Sequence, residues 1–250
     1  MLSKIFEEWK EYAINIGSQV IDRGYFFVSY NKYLNFSCNH SNSIISMEDN
    51  VNCREFFSPT GSELIQKYII MPQKYNITQR VNFKWASLMI LSKGDFSRSK
   101  SIDKQYIEIK EVAFNDIYSF VDVMFDAFNY NKNNFADSVA AYQVGYKSGM
   151  IHYYGAYING NIVSVVMVHR NIEGCLFGIE FVSTRKEFQR KGYSKLLLEF
   201  VLDSIFKQNG KMVWLFSIEN SIAENFYKKL GFNEYGKILI YKCNGDLVRD

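Results

Sequence analysis

One glycine stands among cations in Gln189-Arg190-Lys191-Gly192-Tyr193-Ser194, just before a run in which Leu196, Leu197, Phe200, Val201, Ile205 and Phe206 recur at helical spacing. A helix that opens in this way presents backbone N–H groups and the positive end of its dipole, which together bind a phosphate with few side-chain charges. Gly192 matters because a bare Cα lets the backbone come close to a diphosphate, and Arg190 and Lys191 add charge beside it. A glycine among basic residues at a helix start is common, so the segment takes its meaning from what flanks it. Before it, a strand ends in the polar turn Thr184-Arg185-Lys186-Glu187-Phe188. After it come a strand over Met212 to Ile218, then Asn220, then a helix over Ser221 to Leu230 that closes at Gly231-Phe232. Gly231 is the left-handed stop such a helix needs.

These two blocks resemble the GNAT superfamily of N-acyltransferases. The family's acetyl-CoA motif, Gln/Arg-x-x-Gly-x-Gly/Ala, fits Gln189 to Ser194, with Ser194 in place of the last small residue. Thr184-Arg185-Lys186-Glu187-Phe188-Gln189 looks like the family's Thr-x-Pro-Glu-x-Arg lead-in, with Lys186 in place of the proline, which leaves the turn less rigid. The second block looks like the family's Asn-x-x-Ala-x-x-x-Tyr-x-x-x-Gly-Phe, here Asn220, Ala223, Tyr227, Gly231 and Phe232. The resemblance covers about residues 106 to 242 and implies a mixed, mostly antiparallel sheet flanked by helices.

In the family the two central strands splay apart where the pantetheine arm enters. The resemblance implies that Phe181, Val182 and Ser183 offer backbone groups to the pantetheine, and that Gln189, Arg190, Lys191, Gly192, Tyr193 and Ser194 hold the diphosphate. Asn220 would approach the cofactor from the other strand, and Tyr227 matches the position from which a phenol protonates the departing thiolate. Glu180, on the central strand, is the nearest carboxylate to serve as base, directly or through water, against an even alternative as a solvated or ion-paired group. A backbone N–H near Val182 would be the oxyanion donor. The implied co-substrate is acetyl-CoA, with no metal. The implied acceptor is a primary amine on a small molecule or peptide, attacked directly in a ternary complex.

The elements that must position these groups read as α/β. Apolar spacing over Ser3 to Val20 predicts an opening helix, followed by strands at Tyr25 to Tyr30 and Leu34 to Cys38, a helix from Gly61 to about Ile69 and a strand over Asn82 to Leu91. The polar stretch Ser92 to Ser101 is the candidate boundary. It divides an N-terminal α/β domain, residues 1–104, from the acyltransferase domain, 105–250. Beyond it come a strand over Tyr106 to Val112, a helix to Phe128 capped by Asn115 or Asp116, a helix over Ala136 to Lys147, and a hairpin of Met150 to Ile158 with Ile162 to His169 about Asn159-Gly160-Asn161. A strand over Cys175 to Ser183 completes the lead to the motif. The helix-strand-strand-helix-strand order of the first hundred residues also admits a degenerate half of the same fold, as in tandem members of the family.

Composition removes other classes. A net charge of +3, with 29 basic and 26 acidic residues spread along the chain, gives no broad cationic face for nucleic acid. That absence and the intact diphosphate motif count against aminoacyl transfer from tRNA. Cys38, Cys53, Cys175 and Cys243 form no Cys-x-x-Cys pair, which argues against a zinc site or a disulfide framework. His40, His152 and His169 are isolated and read as structural. No run approaches a membrane span, and Met1 to Lys10 lacks the apolar core of a secretory signal, so a cytoplasmic protein is expected, with an Asn-, Lys- and Ile-rich composition of bacterial or phage type. Homodimerisation stays open. Asp126 and Asp137, near the acceptor-side loop from Phe128 to Asp137, could favour a cationic amine. A protein that binds CoA without catalysis is the competing class.

Overall fold

The structure is a computed structural model describing residues 1–24, 26–31, 43–47, 65–72, 83–98, 106–171, 173 and 175–243. The expected strand over Leu34 to Cys38 and His40 lie outside these residues. By contacts the chain forms two compact units, Met1–Ile90 with Phe216–Asp250, and Leu91–Leu215. The units interleave along the chain, whereas the division at 104/105 follows the motifs.

In the first unit α1 (Leu2–Asn15) buries Ile5, Phe6, Trp9, Tyr12 and Ala13, the stripe its spacing dictates. It ends five residues earlier than its apolar pattern suggests, because Gly17 turns the chain at φ 87° and β1 (Gln19–Asp22) begins. The strands β2 (Phe26–Tyr30), β3 (Ser43–Ser46), β4 (Ile65–Pro72), β5 (Phe83–Ser92) and β11 (Asn233–Cys243) complete a sheet of order β1-β2-β3-β4-β11-β5. All its pairings are antiparallel except β3 with β4. The helix expected from Gly61 to Ile69 is not formed over its described part. Ile65, Tyr68 and Ile69 fit a helical face, but Ile65–Pro72 pair with Gly236–Cys243 of β11, and a two-sided ladder outweighs local periodicity.

The second unit holds β6 (Glu108–Glu111), α2 (Ile117–Phe128), α3 (Phe135–Lys147), β7 (Ile151–Ile158), β8 (Asn161–Arg170), β9 (Leu176–Thr184), α4 (Tyr193–Lys207) and the first residues of β10 (Met212–Ile218). The sheet order is β10-β9-β8-β7-β6, antiparallel except for β9 with β10. Helices α2 and α4 pack on β8 and β9, and α3 packs on β7. This is the mixed, mostly antiparallel sheet flanked by helices that the sequence predicts. Asn159 and Gly160 both take positive φ, 49° and 79°, which gives the β7–β8 hairpin a two-residue turn matched to strand twist. Neither Asn115 nor Asp116 caps α2 with its side chain. Phe114–Asp116 instead form a 3-10 turn leading into the helix, with Asp116 N–H bonded to the Ala113 carbonyl at 2.9 Å. The boundary stretch is partly packed: Phe96 meets Phe206 of α4 at 5.4 Å between ring centroids, and Arg98 pairs with Asp203 at 3.4 Å.

Candidate functional site

The lead-in turn is bolted to α2. Arg185 pairs with Asp122 at 2.7 Å and donates from Nε to the Ile162 carbonyl at 3.0 Å. Lys186, where the family motif has proline, keeps an N–H that proline lacks, and that N–H donates to Asp126 at 2.8 Å. Lys186 Nζ reaches Asn129 at 3.2 Å. Anchoring thus substitutes for ring rigidity at this position. It also commits Asp126, which the sequence offered as a partner for a cationic acceptor; Asp137 lies in the first turn of α3.

The mouth of α4 has the backbone of an anion cradle. Gly192 caps the helix at φ 83°, ψ 9°, and Arg190 also takes a left-handed φ of 59°. Alternation of left- and right-handed residues turns successive N–H groups toward one concavity. The first helical hydrogen bond runs from Leu196 N–H to the Gly192 carbonyl at 3.2 Å, so the amides of the opening turn lie beyond the helical ladder. Arg190 and Lys191 are exposed, with Lys191 Nζ 5.2 Å from the Phe188 ring. Phe188 also packs edge-on to Tyr193 at 6.0 Å. Gln189 is exposed, but its side-chain amide donates to the Thr184 carbonyl at 3.1 Å. Its side chain therefore braces the turn, leaving the backbone as what Gln189 offers a ligand. Ser194 turns inward, 2.7 Å from the Thr184 hydroxyl.

Strand β9 is deformed just where the pantetheine was expected. Phe181 takes φ 52°, rare for a bulky residue, and the β8–β9 register shifts between Val165 and Met167, so Phe181 and Val182 bulge opposite one residue. The parallel ladder to β10 covers Leu176–Gly178 against Met212–Trp214, while β9 continues to Thr184. A strand that leaves its ladder has backbone groups to give, and a bulge re-aims them. The Phe181 ring meets Phe128 at 6.3 Å and Tyr142 at 5.9 Å. Ser183 Oγ donates to the Phe181 carbonyl at 3.1 Å, and the Ser183 carbonyl accepts from Ser164 at 2.9 Å. Each of these two carbonyls thus already carries one bond. Glu180 is buried, 7% exposed, opposite Met167 of β8.

Asn220 and Tyr227 belong to the first unit, on α5 (Ile222–Lys229) and the turn before it. Asn220 is exposed and left-handed at φ 59°, with its N–H held by Glu224 Oε2 at 2.7 Å. Ser221 caps the helix, its hydroxyl accepting from Glu224 N–H at 3.1 Å. At the other end, Gly231 at φ 96° and Phe232 send their N–H groups back to the Lys228 and Tyr227 carbonyls, closing the helix as its sequence predicts. Tyr227 is 8% exposed and packs on Phe226 and Phe232 at 5.4 and 5.9 Å.

Asp122, Ser164 and Glu224 escaped sequence reasoning, and Asp126 was read for a different role. Neither Asp122 nor Asp126 shows a pattern that ties it to a turn sixty residues on. Ser164 is a lone hydroxyl in the apolar run of β8, a signal that could have been read. Glu224 had the clearest signal, the third helical position after a capping serine, and it is buried, 2% exposed, bonded to Ser87 of β5 at 2.7 Å and to Lys228 at 3.2 Å. Burial works to raise its carboxyl, but hydrogen bonds from Ser87, Asn220 N–H and Lys228 outweigh it and hold the group below the ordinary range.

His152 bonds Glu111 at 2.8 Å, and His169 is buried against Trp214, its ring so close to Gly178 that a Cβ there would collide with it. Cys175 is a free thiol. Among the described residues no three His, Cys, Asp or Glu side chains cluster as metal ligands, and no helix is long and apolar enough to cross a membrane.

A bulged strand leading through an anchored turn to a left-handed glycine at a helix mouth fits the acetyltransferase (GNAT) fold. Residues 117–232 match the model of the acetyltransferase (GNAT) family, and the chain carries a GNAT-family domain over that span. Similar solved structures include a functionally unknown conserved protein from Staphylococcus epidermidis, 18% identical over 98% of this chain and 100% of that one, with a TM-score of 0.67. A GCN5-related N-acetyltransferase from Kribbella flavida is 12% identical over 98% and 96%, with a TM-score of 0.63. A tandem GNAT protein from the clavulanic acid biosynthesis pathway is 9% identical over 90% and 83%, with a TM-score of 0.57. At these identities the likeness is one of fold. No curated protein matches the chain by sequence.

Proposed function

We propose that the protein is an N-acetyltransferase that moves the acetyl group of acetyl-CoA to a primary amine of a small molecule or peptide. The observation that carries this reading is the mouth of α4, where Gly192 and Arg190 take left-handed φ directly after the bulged strand β9. That backbone fits a diphosphate by donor chemistry, since it supplies amides and a dipole end, with Arg190 and Lys191 exposed beside them. The amides of Gln189 to Ser194 hold the diphosphate, and the backbone of Phe181, Val182 and Ser183 pairs with the pantetheine amides.

Acetyl-CoA supplies an activated thioester carbonyl. The amine nitrogen attacks that carbonyl, the C–S bond breaks, the thiolate takes a proton and the new amide loses one. A backbone N–H at the Val182 bulge stabilises the oxyanion. Tyr227 gives the proton to sulfur and Glu180 receives the amine proton, directly or through water. Direct transfer needs no enzyme nucleophile, and Cys175 lies outside the matched motif, beside Glu173 at 3.7 Å. The first hundred residues are read as a degenerate partner half, which the tandem likeness supports. A cytoplasmic setting suits four cysteines with no paired spacing. The test is a screen of amines, aminoglycosides, amino acids and peptide N-termini with acetyl-CoA, reading released thiol. One acceptor class should raise release well above hydrolysis; a flat panel counts against catalysis.

The burial of Tyr227 favours a second reading, a CoA-binding protein without turnover in which that phenol is core. Tyr227→Phe separates the two.

A further inference from the structure

Four groups in the second unit form one hydrogen-bonded line. Ser164 Oγ donates to the Ser183 carbonyl at 2.9 Å, Thr184 Oγ1 lies 2.8 Å from Ser164 Oγ, and Ser194 Oγ lies 2.7 Å from Thr184 Oγ1. A hydroxyl has one proton, so the direction is fixed along the line. Ser164 spends its proton on Ser183 and must accept from Thr184, which must in turn accept from Ser194. The line runs from the first turn of α4, through the end of β9, across to β8 and back to the β9 backbone next to the bulge. Ser164 is fully buried, Thr184 is 6% exposed and Ser183 5%. Screening is weak there, and each bond polarises the next. The Gln189 amide adds a parallel brace on the Thr184 carbonyl at 3.1 Å.

We propose that Ser164 and Thr184 are positioning residues, locking the mouth of α4 to the bulge of β9 so that a cofactor gripped at its diphosphate and along its pantetheine meets a fixed span. This rests on the acetyl-CoA reading above. It explains why a serine occupies the position where the family motif has glycine or alanine: Ser194 starts the line, and its hydroxyl faces the strand while its amide faces outward with the helix. Thr184→Val keeps the shape and removes two of the three bonds, those to Ser164 and Ser194. The two ends of the cofactor site then hold their separate ligand contacts but lose their common spacing. A ligand that spans both ends suffers, and one that uses only the strand end does not share the loss.

The test compares dissociation constants for acetyl-CoA and for acetyl-pantetheine, which lacks the diphosphate and nucleoside, by calorimetry on the full chain. In Thr184→Val the preference for acetyl-CoA falls about tenfold, the size of one net hydrogen bond to either end. Thr184→Ser, which keeps the hydroxyl, restores it to within about twofold of the parent, as the small worth of a methyl outside the line implies. Ser194→Ala, at the half-exposed end, shifts the preference the same way and supplies the measurement should Thr184→Val not fold. An unchanged preference in both Thr184→Val and Ser194→Ala, with the two ligands weakened in parallel or not at all, overturns the positioning role alone. Failure of the parent protein to bind acetyl-CoA overturns the role together with the reading beneath it.

Discussion

Glu224→Ala should be among the most damaging single substitutions in the first unit. The side chain is 2% exposed and accepts from Ser87 Oγ at 2.7 Å, Asn220 N–H at 2.7 Å and Lys228 Nζ at 3.2 Å. Lys228 is nearly half exposed, so that pair adds at most about 0.5 kcal/mol. The other two are bonds to a buried charge, worth about 1.5–3 kcal/mol each, and truncation strands the Asn220 N–H while Ser87 Oγ keeps only the Glu234 carboxylate at 3.3 Å. Shared geometry makes the losses less than additive, giving about 3–5 kcal/mol in urea unfolding. Glu224→Gln keeps one acceptor and should cost less. The pH dependence has a fixed sign: the folded carboxyl sits below its ordinary value of 4.5, so its contribution is present above that value and is lost as pH falls through the folded value. The gap between parent and Glu224→Gln should therefore narrow on acidification below about pH 4.5. A Glu224→Ala loss under about 1 kcal/mol, or a gap that widens in acid, would refute the reasoning.

Other outcomes follow from the same geometry. Ser221→Ala removes the cap on Glu224 N–H and should lower stability by about 1 kcal/mol in thermal or urea melts. Lys186→Pro and Asp126→Ala each break the 2.8 Å anchor, so a double-mutant cycle on unfolding should give a coupling of about 0.5–1.5 kcal/mol, and zero coupling would remove the anchor from the account. Tyr227→Phe should reduce amine-dependent thiol release by about 10²–10⁴-fold, with acetyl-CoA affinity kept within about twofold of the parent, if the phenol is the general acid.

Sequence and structure agree where signals are local and reinforced. Asn159-Gly160 demands its turn, Gly231 demands its helix stop, and the spacing from Gln189 to Ser194 marks a helix mouth that Gly192 caps at φ 83°. Agreement fails where partners are distant. Ile65 to Ile70 carries a helical stripe and a strand's β-branched residues at once, and only the ladder to β11, some 170 residues on, decides between them. The bulge at Phe181 is invisible because phenylalanine has no local preference for left-handed φ; the register of β8 imposes it. Ser194 looked like a mild departure from a motif because its partner hydroxyls, Thr184 and Ser164, lie on strands whose alignment the sequence does not encode locally. The Ser221-x-x-Glu224 cap was legible, but its link to Ser87 was not.

Calorimetric titration of acetyl-CoA into the parent protein and into Gly192→Val addresses the helix mouth directly. A β-branched residue at φ 83° is strained and fills the approach to the amides, so the account predicts saturable binding of the parent in the micromolar range and at least about tenfold weaker binding of a folded Gly192→Val. Equal affinities, or no heat from the parent at millimolar acetyl-CoA, would contradict it.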